Sequence, residues 1–429
     1  MAKDKFSENP YPNVNISDDD RSLLVDLVRE FVADNFQEYQ DFVDRNGSIV
    51  DEGRWKHVKS RDNQRVYVER SRRNSVDASD VDPAEKALPA VLSVGTFNGD
   101  LDDLMLGVVS LTPDSMRVKA SYVRDVDSAA IVCPVVAPSE DEPFASVTIK
   151  WMAINLPLQA TTLVKRRDFV YMEATGFLRL ANGERVGYFL LHSLEFPQTP
   201  PRPNTVRGKF SVFGFFRQLD ANVLDHFVRG TVDPGGEIRR FLLTSTAVDT
   251  MFAVARCVQC GQMKKLSWLL RHGHAAAKRL HHAHSHMHSA HCAMCERSLT
   301  CPLSGKPLLG SSACCLCLGP LCRSCKIRKR LTLVAPGGEL ERRKRAFCAS
   351  CIAQAAELSA ELAARHQAAA AGACERLKSS SSSSMTDTSE GSSLDDELQV
   401  IAEESDEDED DDIPLLSDVS RSDAIPLVF

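Results

Sequence analysis

Residues 146–155 read SVTIKWMAIN, and this stretch decides the class of fold. Val147, Ile149 and Trp151 alternate with a threonine and Lys150. Successive side chains of a β-strand point to opposite faces, so this period of two predicts a strand in a sheet with one buried face. We therefore expect a sheet near the middle of the chain.

Further β-rich runs and several helical patterns surround this strand. The other strand-like runs lie at 54–60, 64–70, 166–180, 185–196 and 206–219. Apolar residues at helical spacing predict a first helix at 17–43, two short helices at 100–110 and 114–123, and a long helix from Pro234 that ends near Arg256. The unit from 17 to 256 is thus predicted to be α+β.

Charge and cysteine are distributed unevenly over the 429 residues. The net charge of −8 argues against a generic nucleic-acid binder, so we expect no nucleic-acid partner. Segment 256–350 nevertheless holds 17 Lys and Arg against three Glu, whereas 386–429 holds sixteen acids and one Arg. Of the 14 cysteines, only Cys133 precedes Cys257.

We expect a cytoplasmic protein. The first residues lack the apolar core of a secretory signal, and the chain has no run of 18 apolar residues that would span a membrane. Thiols stay reduced in the cytosol, so clustered cysteines indicate metal ligands before disulfides.

Four Cys-x-x-Cys pairs follow one another in the basic segment. Each pair can place two thiolates on one ion, and two pairs complete a tetrahedron, so eight thiolates predict two closed, structural zinc sites. Disulfides are the alternative. The predicted ligands are Cys292, Cys295, Cys314, Cys317, Cys322, Cys325, Cys348 and Cys351. Cys257 and Cys260 form a fifth pair, which could bind another metal with the eight histidines at 271–291.

The Cys-x2-Cys-x4-Cys-x2-Cys run at 314–325 resembles the FYVE-type zinc finger. This resemblance implies a cross-brace: Cys292 and Cys295 share one ion with Cys322 and Cys325, and the other four cysteines bind the second ion. The chain departs from the family at its phosphoinositide-binding motif, because 308–313 reads LLGSSA and carries no charge.

Two basic runs and an apolar tip could still contact an anionic membrane surface. These residues are Lys326, Arg328, Lys329, Arg330, Arg342, Arg343, Lys344 and Arg345, with Leu308 and Leu309 at the tip. A solvated basic face that keeps a small domain soluble is the competing interpretation.

The first unit resembles a START domain. The resemblance rests on Trp55, Val94-Gly95-Thr96-Phe97, Leu101-Asp102-Asp103-Leu104, Lys150-Trp151, Arg167-Asp168-Phe169-Val170 and Asp233-Pro234-Gly235-Gly236. It implies a helix-grip fold, in which a curved antiparallel sheet wraps a long C-terminal helix around a lipid-sized cavity.

These patterns predict six segments. They are a flexible N-terminus at 1–16, a START-like domain at 17–256, a His-rich linker at 257–291, a FYVE-like finger at 292–352, an Ala-rich helix at 353–377 and a disordered Ser-rich and acidic tail at 378–429.

No catalytic motif occurs, so the expected protein is non-enzymatic. It is expected to hold a lipid, and its zinc finger is expected to dock to a protein or to a membrane, where the protein would be peripheral on an endomembrane. The alternatives are an adaptor without a lipid ligand and, with less support, a ubiquitin ligase.

Overall fold

A ten-stranded sheet forms the centre of the computed structural model, which describes residues 9–12, 14–70, 90–123, 128–154, 165–235, 247–283, 291–300, 312–335 and 337–381. Along the sheet the order is β1-β2-β3-β10-β9-β7-β6-β5-β4, with antiparallel neighbours throughout, and β8 pairs in parallel with β6. The strands are β1 Trp55–Arg61, β2 Gln64–Glu69, β3 Val91–Asn98, β4 Ser128–Val136, β5 Ser146–Ile154, β6 Arg166–Arg179, β7 Arg185–Ser193, β8 Thr205–Arg207, β9 Lys209–Asp220 and β10 Val223–Asp233.

Helices cover both faces of this sheet, and two small hairpins follow. The helices are α1 Asp18–Gln40 with a π-helical continuation Asp41–Arg45, α2 Leu101–Val108, α3 Pro113–Val123, a 3₁₀ turn Phe252–Ala255, α4 Arg256–Ala283, α5 Ala349–Glu357 and α6 Ala360–Ser381. The hairpins pair β11 Ser312–Ala313 with β12 Pro320–Leu321, and β13 Ile327–Val334 with β14 Leu340–Phe347. The predicted α+β fold, with an antiparallel sheet, a long helix and two cysteine clusters, is confirmed.

The expectation that only one face of the sheet is buried is wrong. On β5, Ile149 and Trp151 pack in the core beneath α1, but Thr148 and Lys150 on the opposite face are also buried. The alternation of polarity on this strand therefore separates two buried environments rather than an inside from an outside. The same double burial made β3 and β10 hard to recognise, and these two strands were not predicted.

The N-terminal segment packs against the outer face of the sheet. Ser17 caps α1 by accepting a hydrogen bond from the backbone N–H of Asp20. Before the helix, the Tyr11 hydroxyl donates to the Pro200 carbonyl at 2.7 Å, and the Asn9 side-chain amide donates to the Ile131 carbonyl at 3.1 Å. The second half of the predicted flexible segment 1–16 is therefore anchored, while 1–8 lies outside the described residues.

The closing helix extends further along the chain than predicted. Residues 247–255 are helical, 236–246 lie outside the described residues, and from Arg256 the chain continues as α4, which occupies much of the predicted His-rich linker at 257–291. It crosses α2 so closely that a Cβ on Gly107 would stand 1.8 Å from the Cys257 carbonyl oxygen, and one on Gly261 1.9 Å from that of Asp103. Glycine at both positions allows the two backbones to touch.

The Ala-rich segment is two helices rather than one. α5 ends at Glu357 and α6 begins at Ala360, after a break at Leu358 and Ser359. α6 then leaves the cysteine region and packs Ala360, Ala363 and Ala364 into a core shared with α2 and the sheet. Its last residues include the start of the predicted tail at 378–429, and 382–429 lies outside the described residues.

No helix within the described part of the chain is both long enough and apolar enough to cross a lipid bilayer.

Candidate ligand cavity and metal sites

A cavity of about 250 Å³ lies between the inner face of the sheet and the helices. Alternate residues of the strands project into it, which follows from the period of two along each strand. The strands contribute Ala129, Lys150, Met152, Ile154, Arg167, Phe169, Tyr171, Glu173, Phe189, Leu191, Phe210, Val212, Val228 and Val232, and the helices contribute Met116, Lys119, Ala120, Val123, Met251, Ala253, Val254 and Cys257. Its lining is therefore largely apolar.

One buried ion pair interrupts this apolar lining. Lys150 Nζ donates to Glu173 Oε1, and both side chains are almost completely buried. Burial lowers the pKa of Lys150, and Glu173 opposes that effect. Burial alone would raise the pKa of Glu173, but the charges of Lys150 and Lys119 bring it below its ordinary value. The cavity wall thus carries a hydrogen-bonded lysine and glutamate that are shielded from bulk water.

Two more polar groups lie at the cavity. Lys119 Nζ donates to the Val108 carbonyl, at the C-terminus of α2, at 2.9 Å. Two residues after Val108, the Ser110 hydroxyl lines the cavity. It is 2% exposed and has no hydrogen-bond partner among the described residues. A buried hydroxyl without a partner is costly, so this group is available to a ligand.

Arg167 and Asp168 are adjacent in sequence but serve different faces of β6. Arg167 lines the cavity, and its Nε donates to the Pro234 carbonyl at 3.2 Å. Asp168 faces the opposite side, where it accepts hydrogen bonds from Trp151 Nε1 at 3.0 Å and from Arg207 at 3.1 Å. The two residues therefore do not pair with each other.

The eight predicted ligands assemble into two quartets. Cys292, Cys295, Cys322 and Cys325 form the first, and Cys314, Cys317, Cys348 and Cys351 form the second. In each quartet the ligand atoms all lie within 4.8 Å of one another. These are the two groups that the cross-brace implied.

The sulfur positions fit a tetrahedral ion. The distance from Cys295 Sγ to Cys322 Sγ is 3.7 Å, and that from Cys317 Sγ to Cys348 Sγ is 3.8 Å. Metal–sulfur bonds of about 2.3 Å would place tetrahedral sulfurs about 3.8 Å apart. The hydrogen bond between the two thiols lowers the pKa of Cys314 to about 4 and raises the pKa of Cys317, so it favours one thiolate of this quartet at the expense of its neighbour.

The fifth cysteine pair lies elsewhere. Cys257 and Cys260 are buried on α4, and Cys257 lines the cavity. His272 is exposed on the same helix, whereas the side chains of the other seven histidines are either outside the described residues or, for His291, in the first cysteine loop. The proposed metal site of this pair with the histidines stays a prediction.

The basic residues predicted from the sequence come together on the β13–β14 hairpin. The register places Lys329 opposite Arg345, and Arg330 opposite Lys344. Arg328, Arg342, Arg343 and Lys344 are exposed, whereas Lys326, Lys329, Arg330 and Arg345 are half-buried. Leu308 and Leu309 lie outside the described residues.

The sequence did not identify Glu173, Lys119 and Ser110 as cavity residues. It predicted that Lys150 lies on the exposed face of the sheet, whereas Lys150 is buried at the cavity. A usable signal existed, because Lys150 lies in the otherwise apolar run 149–154 and Glu173 lies in the otherwise apolar run 169–174. Charged residues inside two neighbouring buried strands are expected to be paired.

The comparisons with known proteins found similarities of structure only. No protein-family model matches the chain, and no curated protein matches it. Among solved structures, it is similar to human STARD10 (14% identity, TM-score 0.37, covering 54% of this chain and 82% of that one). It is also similar to human StAR-related lipid transfer protein 5 (18%, 0.38, 56% and 96%) and to a STAR-related lipid transfer protein from Xanthomonas axonopodis (18%, 0.34, 48% and 96%).

Proposed function

We propose that this chain is a non-enzymatic lipid-binding protein whose cavity holds one compact lipid with a single polar group. The observation that carries the proposal is the apolar cavity with the Lys150–Glu173 pair inside it. An apolar ligand is favoured by about 0.8 kcal/mol for each buried CH₂ group. The ion pair gives a hydroxyl or carbonyl both a donor and an acceptor, and Ser110 offers a third polar contact.

The size of the cavity supports a compact ligand. Its volume of about 250 Å³ lies just below the roughly 300–1,000 Å³ that is typical of small-molecule sites. One acyl chain or a fused-ring lipid of sterol type suits this volume. A phospholipid with two chains would need the walls to move apart.

Mass spectrometry of lipid that co-purifies with the full chain tests this proposal. We expect one class of single-chain or fused-ring lipid, and we expect Leu191→Trp, which fills the cavity, to lose it. Leu219→Trp is the matched control, because Leu219 is 49% exposed on the same sheet. A protein that carries no lipid and binds none on addition, or a Leu191→Trp variant that binds normally, would support the adaptor alternative instead.

We also propose that each cysteine quartet binds one zinc ion. Four thiolates in a tetrahedron form a closed site, and such sites stabilise a fold rather than perform chemistry. Metal analysis of the full chain should find two zinc ions, and Cys325→Ser and Cys348→Ser should each lose one. A count of zero, or iron in place of zinc, would contradict the assignment.

For the β13–β14 hairpin we propose contact with an anionic membrane surface in the cytoplasm, as on an endomembrane. Like charges in facing positions of a hairpin are destabilising, and two such pairs face each other here, which an anionic surface would offset. Flotation of the full chain with vesicles of neutral or phosphatidylserine-containing lipid tests the contact, with Arg342→Glu/Lys344→Glu as the variant and Lys56→Glu/Arg65→Glu, on exposed positions of β1 and β2, as the control. Equal flotation of all three proteins would favour a protein partner for the hairpin.

A further inference from the structure

Helix α3 separates the cavity from the cysteine module, here defined as residues 291–357. Met116, Lys119, Ala120 and Val123 line the cavity and recur at the spacing of one helix face. The opposite face of the helix contacts the cysteine module. α3 is therefore a wall that the cavity and the module share.

The contacts on the outer face of α3 are specific and buried. The backbone N–H of Thr332, on β13, donates to the Tyr122 hydroxyl at 2.8 Å. The Ser121 hydroxyl lies 2.8 Å from Thr332 Oγ1, and Arg117 donates to the Gly338 carbonyl at 2.6 Å. Thr332 is 2% exposed, so its two hydrogen bonds to α3 are shielded from water.

Both ends of the β13–β14 hairpin are tied to the cysteine quartets. β13 begins two residues after Cys325 of the first quartet, and β14 ends immediately before Cys348 of the second. The backbone N–H of Cys315 also donates to the Ala346 carbonyl of β14 at 2.9 Å. The position of the hairpin is thus set by both quartets.

One hydrophobic core joins the two regions. It contains Tyr122 of α3 and Met263 of α4 together with Leu331 and Phe347 of the hairpin and Cys348 of the second quartet. The Lys265 ammonium of α4 also contacts both regions. It lies 2.7 Å from the Asp103 carboxylate of α2 and donates to the Ala356 carbonyl of α5 at 2.9 Å. The cysteine module is therefore packed on the cavity-bearing domain rather than tethered to it.

We infer that the metal-anchored hairpin braces α3, so that metal binding determines how tightly the cavity retains its lipid. Tyr122 and Thr332 are the positioning residues of this brace, since they touch the back of the wall and not the ligand. Because coupling between two binding events is reciprocal, the bound lipid also increases metal affinity by the same factor. This inference rests on the proposed lipid-binding function.

Release of a fluorescent probe from the full, zinc-loaded chain tests the brace. The probe is a nitrobenzoxadiazole-labelled fatty acid, and its dissociation rate is measured in competition with unlabelled fatty acid. Tyr122→Phe removes the acceptor of a buried N–H, so we expect about tenfold faster release with both zinc ions still bound. Thr332→Val should act in the same direction, and Thr332→Ser should restore the slow rate.

Two controls distinguish the brace from general stability. Arg343→Ala alters an exposed residue of the same hairpin and should leave the rate unchanged. Val28→Ala weakens the core beneath α1, on the other face of the sheet, and should lower the unfolding temperature without faster release. If Val28→Ala speeds release as much as Tyr122→Phe does, the effect is one of stability and the brace is wrong.

Removal of metal gives the second arm of the experiment. We expect stepwise chelation of zinc to speed release before the sheet unfolds, as followed by far-ultraviolet circular dichroism. Probe binding that is unaffected by chelation and by Tyr122→Phe would overturn the brace and leave the lipid-binding proposal intact. Failure of the wild-type chain to bind either the probe or any co-purified lipid would overturn the lipid-binding proposal itself. If Tyr122→Phe does not fold, Ser121→Ala tests the neighbouring hydrogen bond between α3 and Thr332.

Discussion

The two faces of the sheet use buried charge in different ways. On the outer face, Asp168 accepts hydrogen bonds from Trp151 and Arg207, and it is completely buried. On the inner face, Lys150 and Glu173 bind each other at the wall of a cavity. The Asp168 carboxylate is surrounded by protein groups, whereas Lys150 and Glu173 face the cavity. The first therefore serves stability, and the second is placed to meet a ligand.

The largest expected effect on stability comes from a substitution on the outer face of the sheet. Asp168→Ala would leave Arg207 without its carboxylate and Trp151 without its acceptor, and loss of one partner of a buried pair costs about 3–5 kcal/mol. Chemical denaturation of the full chain measures this loss of unfolding free energy. Glu195→Ala, in the exposed pair with Lys209, is the control and should change stability little. A small loss for Asp168→Ala would mean that the outer face is not the stabilising one.

The next largest effect is a pH dependence of stability, which arises from His226 and its hydrogen bond to Ser93 on the inner face. His226 is fully buried, with ring nitrogens 2.9 Å from the Ser93 hydroxyl and 2.8 Å from the Gly95 carbonyl. Burial lowers the pKa of His226 to about 4. An unfolded histidine titrates near pH 6.5, so below that pH the unfolded chain takes up a proton that the folded chain excludes.

Stability should therefore fall as the pH is lowered from about 6.5 to about 4, by about 3 kcal/mol for this residue. Carboxylates also titrate near the lower end, so the measurement compares denaturation curves of the wild-type chain and His226→Gln across this range. The variant cannot take up the proton, and its curve should be flatter by that amount. Parallel curves would show that the inner face tolerates a charged group even where it has no cavity.

Much of the architecture could be predicted from the sequence, and the exceptions have a common cause. Alternating polarity located β5, and apolar residues at helical spacing located α1. β10 was missed because Asp225 and His226 interrupt its apolar pattern, and both are buried through partners on other strands. A pattern along one strand cannot show a partner that is distant in sequence.

The same limit applies to the candidate sites. Local spacing identified the cysteine pairs, and a family resemblance implied how they combine. Nothing local marks Thr332 as a contact of Tyr122, because 210 residues separate them. Lys150 was assigned to a polar face because a lysine in a strand usually points to solvent, and its partner is 23 residues away. Such pairings depend on tertiary structure.

We expect the smallest effect on stability when the inner ion pair, Lys150 and Glu173, is replaced. This replacement is also the sharpest test of the difference between the two faces. Replacing both members together, as in Lys150→Met/Glu173→Leu, removes both buried charges without leaving one unpaired. Exchange of a buried pair for apolar residues is often neutral or stabilising, so we expect the unfolding free energy to stay within about 1 kcal/mol of wild type.

Lipid affinity should nevertheless fall about tenfold, which corresponds to about 1.4 kcal/mol, because the polar group of the ligand loses its partners. Titration of the full chain with the co-purified lipid measures this change, and denaturation of the same samples measures stability. The single variant Glu173→Gln should lose both affinity and stability, since it leaves Lys150 charged and buried without its counter-ion. A double variant that binds as tightly as wild type, but unfolds more easily, would reverse the assignment and make the inner pair structural like the outer one.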